Sequence, residues 1–164
     1  MLETTGVPTE EQIKNVFPPM EVINRGPVAV IECFQQIPCN PCTTSCRFGA
    51  IYIGDDINDL PAMDVAKCTG CGICLTKCPG LAITILDGSK SKDCVYFSIP
   101  YEMSPLPEIG SVVKALDREG NYLTDVKVIN VRNNKRFDRT NIVTLEVPRD
   151  LIYRFRNISM EVTV

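Results

Sequence analysis

Between residues 68 and 79 the chain reads Cys68-Thr69-Gly70-Cys71-Gly72-Ile73-Cys74-Leu75-Thr76-Lys77-Cys78-Pro79, a C-x₂-C-x₂-C-x₃-C-P run. This segment constrains the fold more than any other. A structural zinc site closes one tetrahedron with two C-x₂-C pairs held apart by a long insert. Here three cysteines follow at intervals of three, so one tight loop presents three thiolates to three irons of a cubane. Eight of the nine cysteines fall between residues 33 and 78. In an exported chain such density would suggest disulfides, but Met1-Leu2-Glu3-Thr4-Thr5 shows neither the basic nor the apolar region of a secretion signal. The expectation is a cytoplasmic chain whose clustered thiols hold metal.

Composition removes several competing chemistries. The chain has no histidine, which excludes imidazole acid–base catalysis, Ser-His and Cys-His nucleophiles and His-ligated metals. A net charge of −3 offers no electrostatic footprint for nucleic acid. No apolar stretch approaches the roughly 20 residues of a membrane span. The residues after 88 show no nucleotide fingerprint, P-loop or catalytic constellation.

The cysteine region repeats. A shift of 32 residues superposes Cys39 on Cys71, Cys42 on Cys74, Thr44 on Thr76, Cys46 on Cys78, Ala50 on Ala82, Ile51 on Ile83 and Ile53 on Ile85. Such a period implies two copies of one supersecondary unit related by approximate two-fold symmetry. Each copy is expected to hold a short strand, a cysteine loop, a brief helical turn and a return strand. The return strands are Ala50-Ile51-Tyr52-Ile53 and Ala82-Ile83-Thr84-Ile85, and Val28-Ala29-Val30-Ile31 is the strand that opens the first copy. The first copy has Gln36 where the repeat calls for cysteine, and Cys33 lies three residues earlier. Closing the slightly longer loop Phe34-Gln35-Gln36-Ile37-Pro38 is a small entropic penalty beside a metal–thiolate bond. Cys33 is therefore the candidate replacement ligand. The alternative is a buried strand cysteine, which leaves three cysteine ligands and favours a [3Fe–4S] cluster or an unusual fourth ligand.

Residues 28–88 resemble the bacterial two-[4Fe–4S] ferredoxins, with Cys68 to Pro79 an unmodified match and Cys33 to Cys46 a stretched one. The resemblance implies an α+β ferredoxin-like domain with an internal pseudo-two-fold repeat and two [4Fe–4S] clusters. In that family the fourth cysteine of each motif ligates the other cluster. Carried over, the first cluster takes Cys33, Cys39, Cys42 and Cys78, and the second takes Cys68, Cys71, Cys74 and Cys46. All-cysteine ligation leaves no open iron position for substrate, so the implied function is electron transfer.

Between the cysteines, Gly70, Gly72 and Gly80 allow close backbone approach to sulfide. Thr43, Thr44 and Ser45 are candidate hydrogen-bond donors near the first cluster, and Ile37, Ile51, Ile73 and Ile83 candidate water-excluding residues. The acidic segment Gly54–Pro61 is expected as a solvated loop, with docking of a basic partner as its alternative role. The chain divides into an N-terminal extension (1–27) with a short helix capped by Thr9 and Gln12, the cluster domain (28–88), and a β-rich module (89–164). In the last, Ser111–Leu116, Asp125–Val131 and Asn141–Val147 read as strands, Pro148-Arg149-Asp150 as a helical turn, and Arg132–Arg136 as a hairpin tip. A barrel is one form this module can take. Cys94 belongs to no motif.

A chemically silent module suits permanent attachment, and the chain is expected to be a non-catalytic electron-relay subunit of a larger oxidoreductase. The plan more distantly resembles the small iron–sulfur subunits of flavin-dependent amine or amino-acid dehydrogenases of anaerobic bacteria. That implies a flavoprotein partner. The alternatives are a freely diffusing ferredoxin and a structural or sensory iron–sulfur protein.

Overall fold

The computed structural model describes residues 2–160. Runs rich in β-branched and aromatic residues form its strands. They are β1 (Val28–Ile31), β2 (Ile51–Tyr52), β3 (Ala62–Met63), β4 (Ile83–Asp87), β5 (Cys94–Tyr101), β6 (Val112–Leu116), β7 (Tyr122–Arg132), β8 (Asn141–Pro148) and β9 (Asn157–Ser159). Seven form one antiparallel sheet in the order β1-β4-β5-β8-β7-β6-β9, while β2 pairs with β3 alone. The helices are short: α1 (Leu2–Thr5), α2 (Glu10–Val16), α3 (Met20–Arg25), α4 (Pro41–Ser45) and α5 (Ile73–Lys77).

Helix α2 opens with the capping box that the sequence implies. The Gln12 N–H donates to the Thr9 hydroxyl (3.2 Å) and the Thr9 N–H to the Gln12 side-chain carbonyl (2.8 Å), which satisfies two otherwise orphaned donors. Pro18 forces Phe17 into an extended conformation and stops the helix, and Pro19 then starts α3. Ile13, Phe17 and Ile23 fasten these helices to the core.

Strands β1 and β4 are buried on both faces because they separate two cores. Val28, Val30 and Leu86 face a large core shared with Val95, Phe97 and Ile99 of β5, Val128 of β7 and Leu145 of β8. Phe97 and Phe155 meet edge-to-face in it, 5.1 Å between centroids. Ala29, Ile31, Ile83 and Ile85 face the other way, toward Cys42, Cys74, Leu75 and Ile51. The cysteine loops therefore sit on the outer face of a sheet whose inner face is filled by the C-terminal half. The position between residues 88 and 89 falls in the β4–β5 connection, and both the sheet and its core continue across it.

Register shifts in β6–β7 and β7–β8 bend the sheet. Its edges are β1 and β9, and a side chain of the C-terminal half reaches the residue that follows β1. Arg118, just after β6, binds Glu32 through two nitrogens at 2.8 and 2.9 Å and donates to the Tyr153 carbonyl at 2.6 Å. Both side chains are more than nine-tenths buried. Burying two charges gains little over an apolar pair, but removing one partner strands the other in a poor solvent. Arg118→Ala is expected to destabilise the protein by about 3–5 kcal/mol, read by denaturant unfolding. A change below about 1 kcal/mol would mean that Glu32 escapes to water.

Strands β6, β7 and β8 lie within one to three residues of their sequence-expected limits, and Arg149–Leu151 forms the short helical turn after β8. The sequence reading missed β5. Ser98 and Pro100 interrupt its pattern, yet its alternating burial shows a strand with one core face. Pro100 lies near the strand end, opposite Ile142.

Candidate metal centre

Helices α4 and α5 begin and end 32 residues apart, and each is followed by a cysteine, Cys46 or Cys78. The chain then turns back, with Gly49 N–H donating to the Cys46 carbonyl and Leu81 N–H to the Cys78 carbonyl, both at 3.2 Å. The next amide in each copy points at sulfur: Ala50 N–H to Cys46 Sγ (3.3 Å) and Ala82 N–H to Cys78 Sγ (3.4 Å). The turn needs a left-handed residue, which is Gly49 (φ 59°) in one copy and Leu81 (φ 52°) in the other. Arg47 in place of the proline after Cys78 leaves this turn intact, because neither hydrogen bond involves that position.

The eight cysteines of the two motifs lie around two hollows. Cys33, Cys39, Cys42 and Cys78 line one, together with Ile37 and Ile83. Cys46, Cys68, Cys71 and Cys74 line the other, with Ile51 and Ile73. Cys78 thus stands with the cysteines of the first copy, and Cys46 with those of the second. Cys33 lies in the first group, while Gln36 points into a separate open cleft under α1. Cys94 lines neither hollow.

Among the described residues no three His, Cys, Asp or Glu side chains converge to hold a single metal ion. A tetrahedral zinc site requires four sulfurs about 2.3 Å from one point. Thiols spread around a hollow instead suit a polynuclear group whose irons each take one thiolate. The donor set, four thiols around each hollow, fits [4Fe–4S] clusters.

Burial, and after it repulsion from neighbouring thiolates, pushes up the pKa of Cys33, Cys42 and Cys74. Cys74 is pushed up to about 12, first by burial and then by the nearby Cys68, Cys71 and Cys46. Burial raises Cys33 and Cys42 as well, with Cys78 the next cause for each. Cys46 moves the other way: burial works to raise it, but the backbone amides of Ala50, Phe48, Ile51 and Gly49 together outweigh that. Loading with metal must expel these protons, so it becomes more favourable as pH rises.

The hydroxyls of Thr43, Thr44 and Ser45, expected from sequence to face the first cluster, are committed elsewhere. Each donates to a carbonyl of α4 or its cap, at Asn40, Pro41 or Cys42. A hydroxyl has one proton, and the nearest unsatisfied acceptors in a one-turn helix are its own carbonyls. Backbone amides serve the sulfurs instead, including Ala29 N–H of β1 to Cys68 Sγ (3.4 Å). Of the four isoleucines, Ile51 and Ile83 are buried but Ile37 is 47% exposed, so the first hollow is less shielded there.

The second loop is held tightly from outside. Gly70 (φ 62°) lies against Pro27, where an added Cβ would come within 2.4 Å of the proline ring and 2.5 Å of its carbonyl oxygen. Gly70→Ala therefore must displace backbone on top of its left-handed strain, a loss of more than about 1 kcal/mol. It is expected to lower iron retention at the second hollow while leaving the first occupied, read as iron per chain after gel filtration. Full retention would show that the loop has room to shift.

Two arginines from the C-terminal half reach the cysteine loops, and sequence reasoning missed both. Arg132 lies over Gly72 and within 3.5 Å of the Cys71 carbonyl. Arg156 donates to the Leu81 carbonyl at 2.6 Å. No motif marks them, since they reach the loops only through the layout of the sheet. Asp59 of the acidic segment also lines the first hollow.

Residues 61–84 match the family described as a 4Fe-4S binding domain. Over 70 residues, 43% of this chain, the sequence is 37% identical to a subunit of the selenate reductase of Mesobacillus selenatarsenatis. Over 45 residues, 27% of this chain, it is 44% identical to a subunit of the Na(+)-translocating ferredoxin:NAD(+) oxidoreductase complex of Acetobacterium woodii. These alignments take in 23% and 13% of the two relatives' own lengths. No solved structure matches the chain. The match at 61–84, on the loop that carries Cys68, Cys71, Cys74 and Cys78, marks that segment as one that binds a [4Fe–4S] cluster.

Proposed function

We propose that the chain carries two [4Fe–4S] clusters in a ferredoxin-like arrangement and relays electrons within a larger oxidoreductase complex, with a flavoprotein as its neighbour. The observation that carries this reading is the pair of hollows, each lined by four cysteines drawn from both copies of the repeat. Each bound cluster takes up and returns one electron without any bond to substrate. The chain's own residues hold the thiolates, exclude water with Ile51, Ile83 and Ile85, and donate amide hydrogen bonds to Cys46, Cys68 and Cys78. Attachment to a partner is supported by two relatives named as subunits of multi-subunit enzymes. It is also supported by apolar side chains left in water beside the hollows: Phe48 and Tyr52 near one, Ile37 and Leu60 near the other.

The test is anaerobic purification of the native complex with iron, sulfide and flavin analysis. The reading requires about eight irons and eight sulfides per chain, and a broad thiolate-to-iron absorption that weakens when dithionite is added. It also requires a flavin-bearing subunit that co-purifies and reduces the clusters when its own substrate is supplied. Zinc in place of iron would reject the assignment. A monomer eluting at about its own mass from native extract would favour a diffusing carrier.

A further inference from the structure

We propose that Arg156 is an electrostatic tuning residue: its guanidinium raises the reduction potential of the cluster held by Cys33, Cys39, Cys42 and Cys78. The inference rests on the two-cluster reading above.

The geometry is a three-link chain. Arg156 donates to the Leu81 carbonyl at 2.6 Å, and the same peptide group carries the Ala82 N–H, which donates to Cys78 Sγ at 3.4 Å. A cation on the oxygen side of a peptide polarises its N–H, so the bond to sulfur strengthens. Leu81 adopts a left-handed conformation that leucine rarely takes, and these two hydrogen bonds hold it there. The equivalent turn in the first copy has glycine at that position. Among the described residues no side chain donates to the Gly49 carbonyl, so the Cys46 turn has the amide but not the cation.

Among the described residues Arg156 has no ion-pair partner of its own. The nearest carboxylate, Glu32, is engaged by Arg118 through both oxygens. Arg156 is half-buried, and burial lowers its pKa; Glu32 and the Cys78 thiolate favour its charge, while Arg118 opposes it. A cation in this position gains a counter-charge when the thiolates bind iron. The other hollow has a different aid: the Ala29 N–H bonds Cys68 Sγ, whereas 32 residues after Ala29 stands Pro61, which has no N–H to offer the first hollow.

Reduction adds one electron to a cubane with four thiolates and takes its formal charge from about −2 to −3, with no bond broken and no proton required. A nearby positive charge favours the more negative state, so it raises the potential.

The experiment is an EPR-monitored redox titration of the full chain carrying Arg156→Gln, Arg156→Met or Arg156→Lys, with dithionite as reductant. The first-hollow signal is identified as the one lost in Cys39→Ala. In Gln and Met variants that keep unaltered iron content, the first-hollow midpoint should move to more negative potential while the second stays in place. Lysine, which keeps the charge, should restore most of the shift. If the Met variant fails to fold, the comparison of Gln with Lys carries the test. Unmoved midpoints, a shift of the second cluster, or equal shifts in Gln and Lys variants would overturn the proposal. Failure of the two-cluster reading would show separately, as an unsubstituted chain with a single signal and about half the iron.

Discussion

Cys46→Ala is expected to abolish the same cluster as Cys71→Ala, although Cys46 lies in the first motif and Cys71 in the second. Cys78→Ala is expected to abolish the other, together with Cys39→Ala. In each case iron falls from about eight to about four per chain, and one of two EPR signals disappears. The grouping follows from pairing across the repeat: β1 of the first copy pairs with β4 of the second, and β2 with β3. Cys78, just before β4, is carried to the β1 side, where Cys33 stands, and Cys46, just before β2, to the side of the Cys68 loop. Cys33→Ala should leave a three-iron species at the first hollow, and Gln36→Ala should leave both clusters unchanged, because Gln36 faces another cleft. If Cys46→Ala and Cys42→Ala lost the same signal, each motif would hold its own cluster and the crossed arrangement would be wrong.

Ending the chain at residue 94 is expected to remove both clusters. The truncation strips β5 from β4 and uncovers Val28, Val30 and Leu86, all of which are at most 2% exposed. Exposing them forfeits about 1.5–3 kcal/mol each. Glu32 also loses Arg118, its bidentate partner. Together these losses are comparable to the whole stability of a chain of about 90 residues, roughly 5–15 kcal/mol. A module used only for attachment would leave the truncated chain loaded with iron; one that completes the core under the cysteine loops would not. Iron per chain after anaerobic reconstitution separates the two, and a truncated chain with about eight irons would contradict the shared core.

Much of the candidate site was legible from spacing alone. Intervals of three and four residues fix the reach of thiols within one loop, because a few backbone dihedrals separate them. The 32-residue offset of α4 and α5 follows from the same local pattern, as does the capping box at Thr9. The strands β6 to β8 could be read because alternating apolar residues need no long-range partner to be recognised. The misses have physical reasons too. The Thr43 to Ser45 hydroxyls turned inward because a one-turn helix leaves its carbonyls unpaired. Strand β5, with Ser98 and Pro100, is held by its neighbours on both sides rather than by its own pattern.

By itself the sequence singled out the candidate ligands: eight thiols, in two loops, with no histidine to compete. The grouping of the thiols in fours was implied by the resemblance to ferredoxins; only the tertiary structure decided which side chains from elsewhere reach them. Residue spacing acts over a turn or two of chain, whereas Arg118 meets Glu32 across 86 positions and Arg156 meets Leu81 across 75. Those contacts depend on how a seven-stranded sheet with two register shifts is laid out, and no local pattern encodes that.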